Sequence, residues 1–105
     1  MSERPVAVIT GASSGIGAAT AVALHKAGYQ VILGARRTDK LAEVAASLEN
    51  AMYYELDVTD AVSVEAFCAQ VPHVNVLVNN AGGAWGLETV ANAIDEKWEW
   101  MYDVN

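Results

Sequence analysis

Apolar residues along this chain come in short blocks separated by polar punctuation, and the blocks alternate between two kinds. Pro5–Thr10 (PVAVIT) is apolar almost throughout, the pattern of a strand covered on both faces. Gly11–Ser14 reads as a turn. Ala and Leu dominate Gly15–Ala27, which predicts a helix, and Gly28 is placed to stop it. Tyr29–Ala35 (YQVILGA) reads as a second strand. Thr38 is placed to cap a helix running to about Asn50, with Leu41, Val44, Ala45 and Leu48 at i, i+3, i+4 and i+7 on its buried face. Met52–Asp57 predicts a third strand. Asp60 is placed to cap a helix to about Val71 that buries Val64, Phe67 and Cys68. Val74–Asn79 (VNVLVN) predicts a fourth strand, followed by a loop containing Gly82, Gly83 and Gly86. A last helix is expected from about Asp95 to the end of the sequence, with Trp98, Met101, Tyr102 and Asn105 as its apolar stripe.

Strands that alternate with helices imply a parallel sheet of βαβ units, hence the α/β class. Right-handed crossovers put the four strands in the order 3-2-1-4. That is the first half of a Rossmann-type doubly wound sheet plus one strand of the second half. A complete sheet of roughly six strands needs more than these 105 residues, so 1–105 is expected to be the N-terminal part of a single, incomplete domain.

Composition narrows the function classes. The hydrophobic share is 53% and the formal net charge is −7, which excludes a disordered tail and disfavours non-specific nucleic-acid binding. No apolar run nears the roughly 18 residues of a membrane span, and Val6–Ile9 breaks at once into Thr10-Gly11, unlike a signal peptide. A cytoplasmic protein is the expectation. A single cysteine excludes a disulfide framework and a Cys-based zinc site. His25 falls in a helix and His73 in a loop, with no Cys/His cluster, so no metal site is expected. The charge is uneven. Residues 1–53 carry five basic and four acidic side chains, whereas residues 54–105 carry Lys97 against nine acids. An anion would bind in the first half.

The chemistry concentrates at Thr10-Gly11-Ala12-Ser13-Ser14-Gly15-Ile16-Gly17. A strand feeds a tight turn, and the turn feeds a helix N-terminus whose dipole and backbone N–H groups favour a pyrophosphate. Gly11 permits the turn, Gly15 lets the backbone approach phosphates, and Gly17 lets the helix pack close to the strand. Ser13 and Ser14 add hydroxyl donors. Three spaced glycines alone could be an ordinary βα turn; the strand before and the helix after supply the context for nucleotide binding. A carboxylate at the end of the second strand would hold the ribose 2′-hydroxyl of NAD. Gly34 and Ala35 stand there instead, followed by Arg36 and Arg37. Two guanidiniums suit the 2′-phosphate of NADP, the alternative being two solvated surface arginines.

These residues resemble the classical short-chain dehydrogenase/reductase family. Thr10–Gly17 (TGASSGIG) is similar to its cofactor loop, Leu56-Asp57-Val58 to its adenine-pocket motif, and Asn79-Asn80-Ala81-Gly82 to its N-N-A-G motif. Asn105, ten residues after Asp95, stands where the family carries the Asn of its catalytic tetrad. The resemblance covers nearly all of this chain but only about two-fifths of a typical member. It implies an NADP-dependent oxidoreductase acting on a small alcohol or carbonyl compound, and a homo-oligomer for a complete member. By the same resemblance, Gly11, Ser13, Ser14, Gly15, Ile16 and Gly17 would wrap the pyrophosphate and adjacent ribose. Arg36 and Arg37 would grip the 2′-phosphate. Asp57 would accept from the adenine amino group, with Val58 on the ring. Asn79 would tie neighbouring strands, Asn80, Ala81 and Gly82 would line the cleft, and Asn105 would hold a water in a proton relay. Asp57 as a turn cap and Asn79-Asn80 as turn residues are the plainer alternatives.

The family's Tyr-x-x-x-Lys pair is not found here. Four residues beyond Tyr29, Tyr53 and Tyr54 lie Leu33, Asp57 and Val58, and Tyr102 has no residue at that distance. Three readings follow: the cofactor half of an enzyme, a non-catalytic NADP(H)-binding module, or a structural fragment with a decayed site. The intact glycines and both arginines oppose the third. For substrate, Gly83-Ala84-Trp85-Gly86-Leu87-Glu88 resembles members that oxidise small hydroxy acids.

Overall fold

The computed structural model of the chain describes residues 4–13, 15–71, 73–80, 90, 93 and 100–103. Their elements are β1 (Val6–Thr10), α1 (Gly15–Lys26), β2 (Gln30–Ala35), α2 (Thr38–Ala46), β3 (Met52–Glu55), α3 (Ala61–Ala69), β4 (Val76–Asn79) and β5 (Trp100–Asp103). All strands run parallel in the order β3-β2-β1-β4-β5, so the expected 3-2-1-4 arrangement is present.

The alternation along each strand divides the core into two layers. On one face, Val6, Val8, Ile32 and Leu77 pack with Val64, Phe67 and Cys68 of α3. On the other, Ala7, Ile9, Val31, Leu33, Val76 and Val78 pack with Ala21 of α1 and Leu41 and Ala45 of α2. β1 and β4 are buried at every position, as a doubly covered parallel strand requires. β3 lies at the sheet edge and leaves Met52 and Tyr53 exposed, while Tyr54 meets Phe67 edge to face with ring centroids 6.1 Å apart.

The helix ends follow local chemistry. Gly28 has φ +99°, and after it Tyr29 N–H bonds the Leu24 carbonyl while Gly28 N–H bonds that of His25. That pair of bonds closes α1 as a Schellman motif, which a residue with positive φ makes possible. Asp60 caps α3, its carboxylate accepting from Val62 N–H at 3.0 Å. Asp60→Ala should destabilise the fold by about 1 kcal/mol. A denaturant midpoint unchanged by that substitution would contradict the cap.

Two expectations about helices are corrected. Thr38 does not cap α2; it is the first helical residue, and Arg37 holds the cap position without a side-chain cap bond. α2 also stops at Ala46, short of Asn50. Ser47 Oγ donates back to the Val44 carbonyl at 2.7 Å, and Asn50 takes φ +64°. The carbonyls of Glu49 and Asn50 are met by the His25 and Gln30 side chains, so the chain turns toward β3.

The larger correction concerns the last helix. Residues 90 and 93 are already helical, upstream of the expected start at Asp95, and residues 100–103 form a strand. β5 pairs Val76 with Trp100 through Asn79 with Asp103. β4 would otherwise present a row of unpaired N–H and C=O groups at the sheet edge. Trp100 and Tyr102 have strand propensity, and pairing satisfies those groups. The apolar stripe Trp98, Met101, Tyr102 and Asn105 matched a helical period on spacing alone. Trp98 and Asn105 lie outside the described residues.

Candidate functional site

The carboxyl ends of β1, β2, β3 and β4 meet at one rim of the sheet, and the Gly11–Ser13 turn lies there. In β1, otherwise apolar, the one hydroxyl belongs to Thr10, which is fully buried and must be paired. Its Oγ1 donates to Asn79 Oδ1 at 3.0 Å and accepts from Asn80 N–H at 3.1 Å. Asn80 Nδ2 donates to the Gly11 carbonyl at 3.0 Å. Asn79 thus ties β4 to β1, and Asn80 ties the end of β4 to the glycine turn. Ala12 N–H reaches the Gly34 carbonyl at 3.3 Å, binding the turn to β2 as well.

The three glycines of the turn differ physically. Gly11 adopts φ +65°, a conformation few other residues accept. Gly17 is buried. A β-carbon there would run into the Gly11 carbonyl oxygen and lie 2.8 Å from Asn80 Nδ2 and 2.9 Å from Ala12 Cα. Gly15 is exposed, and a β-carbon there would meet nothing within 4 Å. Neither φ nor protein packing among the described residues therefore requires glycine at position 15. α1 carries no acidic side chain in its first turn, so nothing there opposes an anion.

A cavity of about 370 Å³ opens at this rim, lined by Gly11, Ser13, Arg36, Arg37, Asp57, Val58 and Asn80 together with Ala35, Leu56 and Thr59. Seven of the sequence-derived site residues therefore share one space. Ile16 stands at the start of α1, 61% exposed, an unusual position for a large aliphatic side chain. Ser14, Ala81, Gly82 and Asn105 lie outside the described residues.

Both arginines are exposed. Arg37 is partly engaged, its guanidinium 3.6 Å from the Asp39 carboxylate in a solvated pair. Arg36 faces the field of Asp57. The Asp57 carboxyl is held below the ordinary aspartate value of 3.8, first by the Thr59 hydroxyl and then by the Thr59 N–H, against a smaller opposing effect of burial, with the Arg36 charge adding least. Thr59 Oγ1 and N–H both donate to Asp57 Oδ1, at 2.6 and 3.0 Å. A depressed value means that ionised Asp57 favours the folded state above about pH 4, and that this contribution is lost as pH falls through the folded value.

Sequence reasoning missed Thr59 and Ser63. Ser63 Oγ accepts from Asp57 N–H at 2.9 Å and so fixes the backbone of that residue. The signal was present: an Asp followed two residues later by Thr is a local turn pattern. Thr10, too, was legible as the polar end of an apolar strand.

Comparison with known proteins places this arrangement. The profile of the short chain dehydrogenase family matches residues 5–105. The chain belongs to that family. An uncharacterized oxidoreductase of Mycobacterium tuberculosis is 48% identical over 102 residues, covering 97% of this chain and 40% of the relative. The NADP-dependent 3-hydroxy acid dehydrogenase YdfG of Salmonella typhimurium is 37% identical over 105 residues, covering 95% of this chain and 42% of the relative. An alcohol dehydrogenase from the archaeon Thermococcus sibiricus, solved with 5-hydroxy-NADP, superimposes with a TM-score of 0.79 at 34% identity, covering 90% of this chain and 53% of that one. The chain thus spans less than half the length of these curated relatives. Among the described residues no helix is long and apolar enough to cross a membrane.

Proposed function

We propose that this chain is the NADP-binding part of an oxidoreductase that moves hydride between nicotinamide and the alcohol or carbonyl carbon of a small molecule. The observation that carries this reading is the meeting of Arg36 and Arg37 with Gly11, Asp57 and Asn80 around one cavity. The residues fit the dinucleotide in three ways. The open space over Gly15 is room that a methyl would take from phosphates. The end of β2 offers two guanidiniums and no carboxylate, which suits a 2′-phosphate. Asp57, kept ionised, can accept from an exocyclic amino group.

Gly11, Ser13, Ser14, Gly15, Ile16 and Gly17 then cradle the pyrophosphate and adjacent ribose, and the exposed Ile16 side chain gains cover. Arg36 and Arg37 hold the 2′-phosphate. Asp57 accepts a hydrogen bond from the adenine amino group while Val58 packs on the ring. Asn80, Ala81 and Gly82 would line the cofactor cleft. Asn105 would hold a water in a proton relay to the catalytic Lys of the complete enzyme. When bound, NADP would supply or accept the hydride at nicotinamide C4, and the chain's part is to hold and orient it. The substrate proposed is a small hydroxy acid or a related alcohol or carbonyl compound, supported by the 3-hydroxy acid dehydrogenase among its relatives. No Tyr-x-x-x-Lys pair occurs within these 105 residues. The chain alone is therefore expected to bind NADP⁺ without turning over an alcohol.

Calorimetric titration with the two oxidised cofactors tests the reading. NADP⁺ should bind at least about tenfold more tightly than NAD⁺, the yield of one charge-assisted phosphate contact. The ratio should shrink as salt rises, because exposed arginines are screened. Equal affinities at low salt would overturn the NADP assignment.

A further inference from the structure

We propose that Thr59 is a positioning residue for base selection: by occupying Asp57 Oδ1 it presents the other carboxylate oxygen as a fixed acceptor, and the site thereby takes a 6-amino purine and rejects a 6-oxo purine. The inference rests on the NADP-binding reading and deepens it.

Asp57 is held through its backbone and through one of its carboxylate oxygens. From below, Asp57 N–H is held by Ser63 Oγ at 2.9 Å, and the Asp57 carbonyl accepts from Asp60 N–H at 3.0 Å. From the side, Oδ1 receives both Thr59 donors, at 2.6 and 3.0 Å. Among the described residues Oδ2 receives no hydrogen bond, and Asp57 and Thr59 both line the cavity. Leu56 N–H, bonded to the Ala35 carbonyl at 2.9 Å, anchors the segment to the end of β2, beside Arg36. With its backbone anchored and Oδ1 held by two donors, the carboxylate keeps its other oxygen in one place.

The chemistry of that oxygen decides which base is accepted. An ionised carboxylate only accepts hydrogen bonds. Adenine carries a donor at C6 and satisfies it. Hypoxanthine carries a carbonyl at C6, which would set lone pair against lone pair and leave both oxygens without a donor. A site built around one fixed polar partner rejects the analogue lacking the complementary group. A swivelling carboxylate would discriminate less, because it could turn its charge to solvent when the wrong base binds.

The probes are NADP⁺ and its deaminated analogue, nicotinamide hypoxanthine dinucleotide phosphate, titrated against the whole chain. The native protein should prefer NADP⁺ by about tenfold or more, the scale of a hydrogen bond to a charged group. Thr59→Val removes the hydroxyl donor and should lower that preference at least about threefold, chiefly by weakening NADP⁺. Thr59→Ser keeps the hydroxyl and should retain the native ratio. Asp57→Asn, whose amide can donate as well as accept, should abolish the preference. Thr59→Val also gives up the stability that the Thr59 hydroxyl lends to ionised Asp57, and Thr59→Ser, which keeps that hydroxyl, controls for it. A native ratio in Thr59→Val, a Thr59→Ser ratio as poor as that of Val, or equal loss of both nucleotides would each overturn the proposal. Failure of the native protein to bind NADP⁺ would instead remove the functional reading itself, and the base selection with it.

Discussion

Arg36→Asp should lower affinity for NADP⁺ by two orders of magnitude or more while leaving NAD⁺ binding within a few-fold of its native value. Removing a hydrogen bond to a charged group costs about 1.5–3 kcal/mol. The new carboxylate adds repulsion against a phosphate that carries close to two negative charges. NAD⁺ has a hydroxyl in that place, and a carboxylate at the end of the second strand is what such a ribose requires. Arg37→Ala should have a smaller effect. Arg37 already shares its charge with Asp39 at 3.6 Å, and both side chains are largely solvated, a pairing worth little in itself but one that leaves this guanidinium divided between two anions. Arg36 has no such salt bridge among the described residues, and its charge acts on Asp57, which lines the same cavity. Parallel titrations of both variants with both cofactors read the difference. Equal losses of NADP⁺ and NAD⁺ in Arg36→Asp would mean that the residue supports the fold of the rim rather than reading the 2′-phosphate.

The sheet was legible because burial on both faces imposes continuous apolar strands, and the glycine turn because its spacing is tied to a strand before and a helix after. What escaped the sequence was decided by neighbours. Residues 100–103 carry a helical period and a strand composition together. The open edge of β4 settles the matter by offering hydrogen bonds, and no local pattern contains that information. The turn after α2 is held by the side chains of His25 and Gln30, which bond the carbonyls of Glu49 and Asn50, 24 and 20 residues away. The site divides in the same manner. Gly11, Arg36, Arg37 and Asp57 are each visible as residue types in register, whereas the role of Thr59 depends on where its hydroxyl points. Gly34 is a further case. It reads as a mere missing carboxylate, yet a β-carbon there would lie 2.7 Å from Phe67 Cε2 and 2.9 Å from Leu56 Cδ2. Any side chain at that position, charged or not, would therefore have to displace Phe67 and Leu56 from the core.

Two single-methyl substitutions in the same turn should separate folding from binding. Gly17→Ala should lower the melting temperature by about 10 °C or more, or prevent folding. Its methyl meets the Gly11 carbonyl and Ala12 Cα, which are backbone atoms held by β1, β2 and Asn80, so relief requires moving the whole rim. Overpacking of this kind costs about 1–3 kcal/mol where side chains can yield and more where they cannot. For a domain of this size each kcal/mol is worth roughly 4–8 °C. Gly15→Ala should do the opposite to stability. Its methyl enters open space in the first turn of α1, where alanine is the better helix former by up to about 1 kcal/mol, so the melting temperature should hold or rise slightly. Binding of NADP⁺ should nonetheless fall at least about tenfold, since the methyl occupies the space through which phosphates reach the helix N-terminus. Thermal melts with and without NADP⁺ check both at once: native protein and Gly15→Ala should melt alike when free, and ligand stabilisation should be lost only in the variant. A Gly15→Ala protein that binds NADP⁺ as tightly as the native chain would show that the open space above this residue is not where the phosphates lie.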